Sequence, residues 1–143
     1  MPPELERLEV FIGRWITEGQ TFATRDAPAM QIVASDVYQW APGGQFVMHP
    51  AYGRIGSMNV GGLEVIGHDP VTGQFRTYFF DSQGNITTEA LSLHEDTWTW
   101  QGARARCSGV FTERNTILTA RHERTDDGIN WVPSMTVVLR KVD

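Results

Sequence analysis

The chain has 143 residues, which suits a single domain and is long enough to bury one continuous core. Apolar residues make up 41% and charged residues 20%, a balance that excludes a disordered chain. The formal net charge is −5, and the 12 lysine and arginine residues are scattered rather than clustered. Nucleic-acid binding normally requires a concentrated basic face, so we expect no nucleic-acid partner.

Cys107 is the only cysteine, so the chain can form no internal disulfide and no metal cluster built on several thiolates. The N-terminus lacks the apolar segment of a signal peptide, and no apolar run approaches the length of a membrane span. We therefore expect a cytoplasmic protein with no membrane partner. A homodimer is one possible assembly of the chain.

Segment 4–11 predicts one short helix, because it follows a proline pair and carries acidic residues in its first turn. Its apolar side chains share one face at helical spacing, so we expect the helix to plug a larger element. These apolar positions are Leu5, Leu8 and Phe11 or Ile12. Gly13 ends the helix.

From Arg14 onward the apolar period changes from helical to two, and short turns separate about ten β-strands. We predict a first strand of roughly ten residues, then strands over 30–40, 45–49, 57–68, 75–80, 86–93, 97–101, 105–112, 116–124 and 131–142. The glycine pair Gly61-Gly62 predicts a bulge or a sharp bend within its strand. Short connections without a second helix favour an all-β, antiparallel up-and-down barrel, a single domain spanning residues 1–143.

The segment Phe11-Ile12-Gly13-Arg14-Trp15 is similar to the opening of calycin barrels, the lipocalin and fatty-acid-binding group. In that group the tryptophan of a Gly-x-Trp motif packs at the closed end of the barrel, often beneath an arginine from the last strand. The resemblance implies that Arg140 covers Trp15 in a cation–π contact.

Three longer stretches resemble a bacterial family of uncharacterised lipocalin-like proteins, in the calycin superfamily. The stretches are residues 62–73, 80–84 and 127–131. The resemblance implies a barrel with a ligand cavity and a distant relation to nitrobindins and fatty-acid-binding proteins, but no particular reaction.

Nitrobindins carry haem in a similar barrel, and two of their signature positions differ here. Their opening motif is Gly-x-Trp-x-Gly-x-Gly, whereas this chain has Thr17 at the middle glycine. Their haem-ligating histidine lies at the start of the last strand, where this chain reads Ser134-Met135-Thr136. Haem binding is therefore the disfavoured alternative, and we expect no cofactor.

Polar residues that could enter the barrel are few. Glu64, Ile66 and His68 share one face of a predicted strand, so a carboxylate and an imidazole could form an acid–base pair. The competing interpretation is that His68 caps the following turn and Glu64 is solvated. The four histidines show no metal-binding spacing, and no serine lies in a nucleophile elbow, so we expect no metal site and assign no catalytic residue.

The aromatic and polar residues on the strands either fill the barrel completely or line a cavity for one small molecule. We favour a cytoplasmic binding protein that encloses a small, largely apolar ligand. The alternatives are a small isomerase- or hydrolase-type enzyme that uses a carboxylate and a histidine, and a filled, purely structural barrel. The expected ligand contacts are Trp40, His49, Met58, Glu64, Ile66, His68, Tyr78, Glu89, Trp100, His122 and Met135.

Overall fold

The computed structural model describes residues 1–142, and it is a closed β-barrel with one short helical segment at its N-terminus. Helix α1 (Pro3–Glu6) continues into a 3₁₀ helix over Arg7–Phe11. The ten strands are β1 (Gly13–Thr21), β2 (Gln31–Trp40), β3 (Phe46–Ile55), β4 (Met58–His68), β5 (Phe75–Asp81), β6 (Ile86–His94), β7 (Thr97–Gln101), β8 (Ala105–Thr112), β9 (Ile117–Arg124) and β10 (Val132–Lys141). Each strand pairs antiparallel with its neighbours in sequence, and β1 pairs with β10. The predicted fold class is confirmed.

The helical segment closes one end of the barrel, as predicted. Leu5, Leu8 and Phe11 are almost completely buried, whereas Ile12 is only partly so. The Phe11 ring packs edge-on against Trp98, with ring centroids 4.9 Å apart, and it also contacts three other aromatic rings of the barrel wall. This aromatic cluster seals the end of the barrel at which β1 begins.

Trp15 packs at the closed end, but the cation beside it is not the one predicted. Its indole Nε1 donates a hydrogen bond to the carbonyl oxygen of Phe11 at 2.9 Å, and the Lys141 ammonium lies 5.6 Å from the ring centroid. The register pairs Trp15 with Lys141, and Arg140 with the outward-facing Ile16. Because side chains alternate along a strand, Arg140 points to solvent, and the prediction that it covers Trp15 is wrong.

Strand β3 is twice as long as predicted, because it continues through Pro50 to Ile55. Proline lacks an N–H, and the pairing between β2 and β3 is interrupted opposite Pro50 but resumes in the same register. The glycine pair of β4 introduces no bulge, since pairing with β3 runs through both glycines without a shift and pairing with β5 begins at Gly62. A Cβ on Gly61 would lie 2.4 Å from the carbonyl oxygen of Ala51, so close backbone approach requires glycine there.

Inward-facing residues are packed most densely near the helical segment. Val47, Ile66, Leu91 and Thr77 have essentially no exposed surface. Toward the other end the inward side chains do not meet across the barrel, and an internal space is left. None of the described helices is long and apolar enough to cross a membrane.

Candidate functional site

A cavity of about 440 Å³ lies inside the barrel and extends to the end away from the helical segment. Its lining includes Ile55 at the end of β3, Ala105 at the start of β8 and Met135 near the start of β10. These three positions lie at the same end of the barrel because adjacent strands run antiparallel. The walls are mainly aliphatic and aromatic, so the alternative of a completely filled barrel is wrong.

A hydrogen-bonded triad of Asp36, His49 and Glu64 forms the polar part of the cavity wall. The Nε2 atom of His49 lies 2.7 Å from Asp36 Oδ1, and its Nδ1 atom lies 2.8 Å from Glu64 Oε1. The Thr17 hydroxyl donates a further hydrogen bond to the second oxygen of Asp36. All three triad side chains are nearly buried.

The strand register explains how residues from three strands meet. His49 and Glu64 are direct partners across β3 and β4, so their side chains project side by side. Tyr38 of β2 lies opposite His49, and the two rings stack with centroids 3.7 Å apart. Asp36 is two residues before Tyr38, on the same face, and therefore reaches the imidazole diagonally.

Both ring nitrogens of His49 face carboxylate oxygens, so both carry a proton and the ring is an imidazolium. Burial by itself would lower the pKa of His49, but the hydrogen bonds to Asp36 and Glu64 outweigh it and raise the pKa to about 9. The triad therefore holds one positive charge between two carboxylates.

Tyr38 and Glu89 also line the cavity, and the side chain of neither forms a hydrogen bond to another described residue. Burial, together with the charges of Glu64 and Asp36, raises the pKa of Tyr38 well above its ordinary value, so its hydroxyl stays protonated. Burial and the charge of Glu64 raise the pKa of Glu89 to about 7. A carboxyl group with such a pKa changes charge readily near neutral pH.

Cys107 and His122 face each other across β8 and β9, where they are register partners. The Cys107 Sγ atom lies 3.5 Å from His122 Nε2. Burial and the nearby carboxylates raise the pKa of the Cys107 thiol to about 12, whereas burial lowers the pKa of His122. Both groups are therefore neutral, and Cys107 is not an activated thiolate.

The structure brings six of the eleven predicted contact residues together. The six that line the cavity are His49, Glu64, Glu89, Trp100, His122 and Met135. Five others are absent from its lining, namely Trp40, Met58, Ile66, His68 and Tyr78.

The five absent residues have identifiable surroundings. Trp40 donates a hydrogen bond through Nε1 to Glu9 of the helical segment, at 3.2 Å. Met58 and Tyr78 are about half exposed, and Ile66 is sealed in the packed core. His68 packs edge-on against Phe75, with ring centroids 5.7 Å apart. These five residues are wrongly predicted as ligand contacts because the sequence reveals neither the inward face of each strand nor where the packed core ends and the cavity begins.

The predicted pairing of Glu64 with His68 is wrong, and so is the alternative of a solvated Glu64. Residues four apart on one strand are separated by about 13 Å, too far for a hydrogen bond. The partner of Glu64 is His49, on the neighbouring strand. A carboxylate and an imidazole therefore do share the cavity, as the acid–base interpretation requires.

Sequence reasoning missed Asp36, Tyr38 and Thr17. All three occupy buried, inward positions of the alternating pattern on β1 and β2. A polar residue at an inward position is a recognisable signal of a polar network. Among residues 1–142, no group of three or more histidine, cysteine or acidic side chains is arranged to hold a metal ion.

Comparison with known proteins extends the description. One family model, whose description reads "Protein of unknown function (DUF1579)", matches residues 2–141. No curated protein matches the chain.

Solved structures share the fold at low identity. The crystal structure of Rv2717c from M. tuberculosis matches with a TM-score of 0.70 and 12% identity, covering 100% of this chain and 99% of that one. The S-type phycobiliprotein lyase CPES from Guillardia theta matches with a TM-score of 0.60 and 9% identity, covering 96% and 92%. A DUF3598 family protein of unknown function from Nostoc punctiforme gives 0.61 and 13%, covering 94% of this chain and 49% of that one. At these identities the likeness concerns the fold.

Proposed function

The chain belongs to the DUF1579 family, whose function is unknown, and on that premise we propose that it is a binding protein enclosing a small, largely apolar molecule. The observation that carries the proposal is the apolar cavity of about 440 Å³ within the barrel. Cavities of roughly 300–1,000 Å³ with a few polar groups are typical of small-molecule sites. A cytoplasmic location, the absence of a cofactor and a homodimer stay predictions, as does kinship with nitrobindins and fatty-acid-binding proteins.

The walls supply the driving force for binding. Each 100 Å² of apolar ligand surface removed from water contributes about 2.5 kcal/mol. Ile32, Val137 and Leu139 provide aliphatic contact surface, and Trp100 adds an aromatic face. The fixed triad of Asp36, His49 and Glu64 would add orientation, because its hydrogen bonds hold the polar atoms in place before a ligand arrives.

Two adjacent residues of β2 allow a matched test. Ala34 lines the cavity, whereas Val33 points outward and is half exposed. We expect Ala34→Trp to fill the cavity and to weaken binding of the neutral apolar dye Nile red by at least about tenfold. Val33→Trp adds the same side chain on the outer face and should leave dye binding unchanged.

Fluorescence titration of Nile red, with circular dichroism to check that each variant is folded, measures this difference. Protein that binds no Nile red, or binds it equally well in the folded Ala34→Trp variant, would show that the cavity is not a binding site. If the Ala34→Trp variant loses dye binding as expected, native mass spectrometry of the purified wild-type protein can identify a molecule that copurifies with it.

A small acid–base enzyme is the second candidate, and Glu89 is the observation that favours it. Its carboxyl group faces the cavity with a pKa of about 7, which suits proton transfer at neutral pH. His49 is a poor proton carrier, because both of its nitrogens already donate to carboxylates. Incubating the copurified molecule with fresh protein separates the candidates: conversion that disappears in Glu89→Gln favours catalysis, and an unchanged molecule favours binding.

A further inference from the structure

The titratable side chains around the cavity carry an excess of negative charge. Those in the lining are Asp36, Tyr38, His49, Glu64, Glu89, Arg106, Cys107 and His122. Three of these are carboxyl groups. The tyrosine, the cysteine and His122 are neutral, for the reasons given above.

The two cations do not balance the carboxylates. His49 is already shared between Asp36 and Glu64, so the triad keeps a net charge of −1. Arg106 is directed to another partner, since its Nε donates to Glu123 at 2.9 Å and its guanidinium lies 4.3 Å from the Trp131 ring centroid. Glu89 therefore faces the cavity without a cation of its own.

The Tyr38 hydroxyl is a second, independent polar feature of the cavity wall. The Tyr38 side chain is 95% buried and forms no hydrogen bond to a residue of the described chain. Among the described residues, no side-chain oxygen or nitrogen is both sealed from solvent and without a partner. The hydroxyl must therefore reach open space, and the space beside it is the cavity. A buried hydroxyl of this kind usually finds a partner, and a ligand atom can supply it.

We propose that the ligand carries a protonated nitrogen, which donates a hydrogen bond to Glu89 while its apolar body lies against the cavity walls. The inference rests on the proposed binding function. An ammonium group has three donors and a positive charge, and it complements a region that offers acceptors and excess negative charge. A carboxylate ligand would instead be repelled by Glu64 and Glu89.

Three probes with one carbon skeleton test the head group. Octylamine, octan-1-ol and octanoate differ in charge but have the same apolar chain, and each can compete with Nile red at pH 7.5. We expect octylamine to displace the dye at about tenfold lower concentration than octan-1-ol, since a charged hydrogen bond exceeds a neutral one. Octanoate should be the weakest competitor.

Glu89→Gln tests the assignment to one residue, because it removes the charge and keeps the volume. The preference for octylamine over octan-1-ol should fall by about tenfold, whereas the affinity for octan-1-ol should change less than about twofold. Tyr38→Phe removes a hydroxyl but no charge, and it should change the preference by less than about twofold. Glu18→Gln makes the same chemical change on the exposed outer face of β1 and should alter nothing.

Calorimetry adds a readout of ionisation. Binding of octylamine at pH 7 should release protons from Glu89, detected as a heat that depends on the buffer, and Glu89→Gln should abolish the release.

Each outcome bears on one claim. Octan-1-ol or octanoate competing as well as octylamine would overturn the protonated nitrogen while leaving the binding cavity intact. An undiminished octylamine preference in Glu89→Gln, or no proton release by the wild type, would overturn the role of Glu89. Failure of Nile red to bind the wild-type protein would instead refute the proposed binding function itself.

Discussion

The triad of Asp36, His49 and Glu64 makes stability depend on pH in a defined direction. The pKa of His49 is about 9 in the folded protein, against 6.5 when the chain is unfolded. Each pKa unit corresponds to 1.36 kcal/mol, so protonated His49 contributes about 3 kcal/mol to the free energy of unfolding. Because the folded-state pKa is the higher one, this contribution is fully present below pH 6.5 and is lost as the pH rises through about 9.

The loss of stability that comes from His49 is best measured in a window between pH 7.5 and 9. Glu89, whose pKa rises from 4.5 to about 7 on folding, destabilises the folded protein increasingly between about pH 4.5 and 7, and its effect is almost constant within the window. Cys107, whose pKa rises from 9.0 to about 12 on folding, adds a further loss of stability only toward the upper edge of the window. Within the window we expect the free energy of unfolding to fall by about 1.5 kcal/mol. Urea unfolding followed by tryptophan fluorescence, at several pH values and constant ionic strength, measures the slope.

Two variants attribute the slope to the triad. His49→Gln removes the titrating group and should flatten the dependence between pH 7.5 and 9. Asp36→Asn keeps the imidazole but replaces one charged acceptor, so the pKa of His49 should fall and the loss of stability should move to lower pH. A wild-type slope near zero, or a slope unchanged in folded Asp36→Asn, would refute the assignment of an imidazolium to His49.

Two further stability predictions concern packing and backbone geometry. Phe11→Ala should lower the free energy of unfolding by about 3–5 kcal/mol because it empties the aromatic cluster at the closed end, whereas Phe46→Ala, at a half-exposed site, should have a much smaller effect. Gly61→Ala should destabilise by about 1–3 kcal/mol, since the new Cβ would meet the Ala51 carbonyl oxygen. Gly84→Ala shares the positive φ but meets no neighbour, so chemical denaturation should report a smaller loss. Equal losses within either pair would contradict the packing argument.

The fold was predictable because its signals are local. A period of two interrupted by turn residues predicts strands, and short connections leave few topologies other than a meander that closes on itself. The errors came from residues whose local signal opposes the outcome. The third strand is predicted to end at His49, but only its pairing with β2 is interrupted at Pro50, and its pairing with β4 continues. The prediction that Arg140 covers Trp15 is wrong by one residue, because the register that pairs Trp15 with Lys141 cannot be read from β1 or β10 alone.

The site was predictable only in composition. The sequence predicts Glu64, Glu89 and His49 as ligand contacts, yet the partners of Glu64 and His49 are fixed by the register between neighbouring strands. Asp36 lies 13 residues before His49 in the chain and 2.7 Å from it in the fold. A shift of one residue in register would have turned each of these side chains to solvent, so no pattern within one strand could reveal the triad.

The triad also allows stability to be separated from function. A buried ion pair is weak support for a stabilising role, since replacing all its members with apolar residues of similar volume is often neutral or stabilising. We therefore expect Asp36→Leu, His49→Leu and Glu64→Leu together, with Thr17→Val so that no hydroxyl loses its acceptor, to leave the free energy of unfolding at pH 7 equal or higher by about 1–4 kcal/mol. Single removal of His49 should instead be destabilising by about 3–5 kcal/mol, because two buried carboxylates would lose their cation.

The combined variant should still bind Nile red, but its preference for octylamine over octan-1-ol should be smaller than that of the wild type, because the net charge of −1 on the triad is gone while Glu89 remains. A combined variant much less stable than the wild type would mean that the triad holds the barrel together. A stable combined variant that retained the octylamine preference would mean that the charge of the triad takes no part in recognition. Only a variant of equal or higher stability with a reduced octylamine preference agrees with a polar network that serves ligand binding.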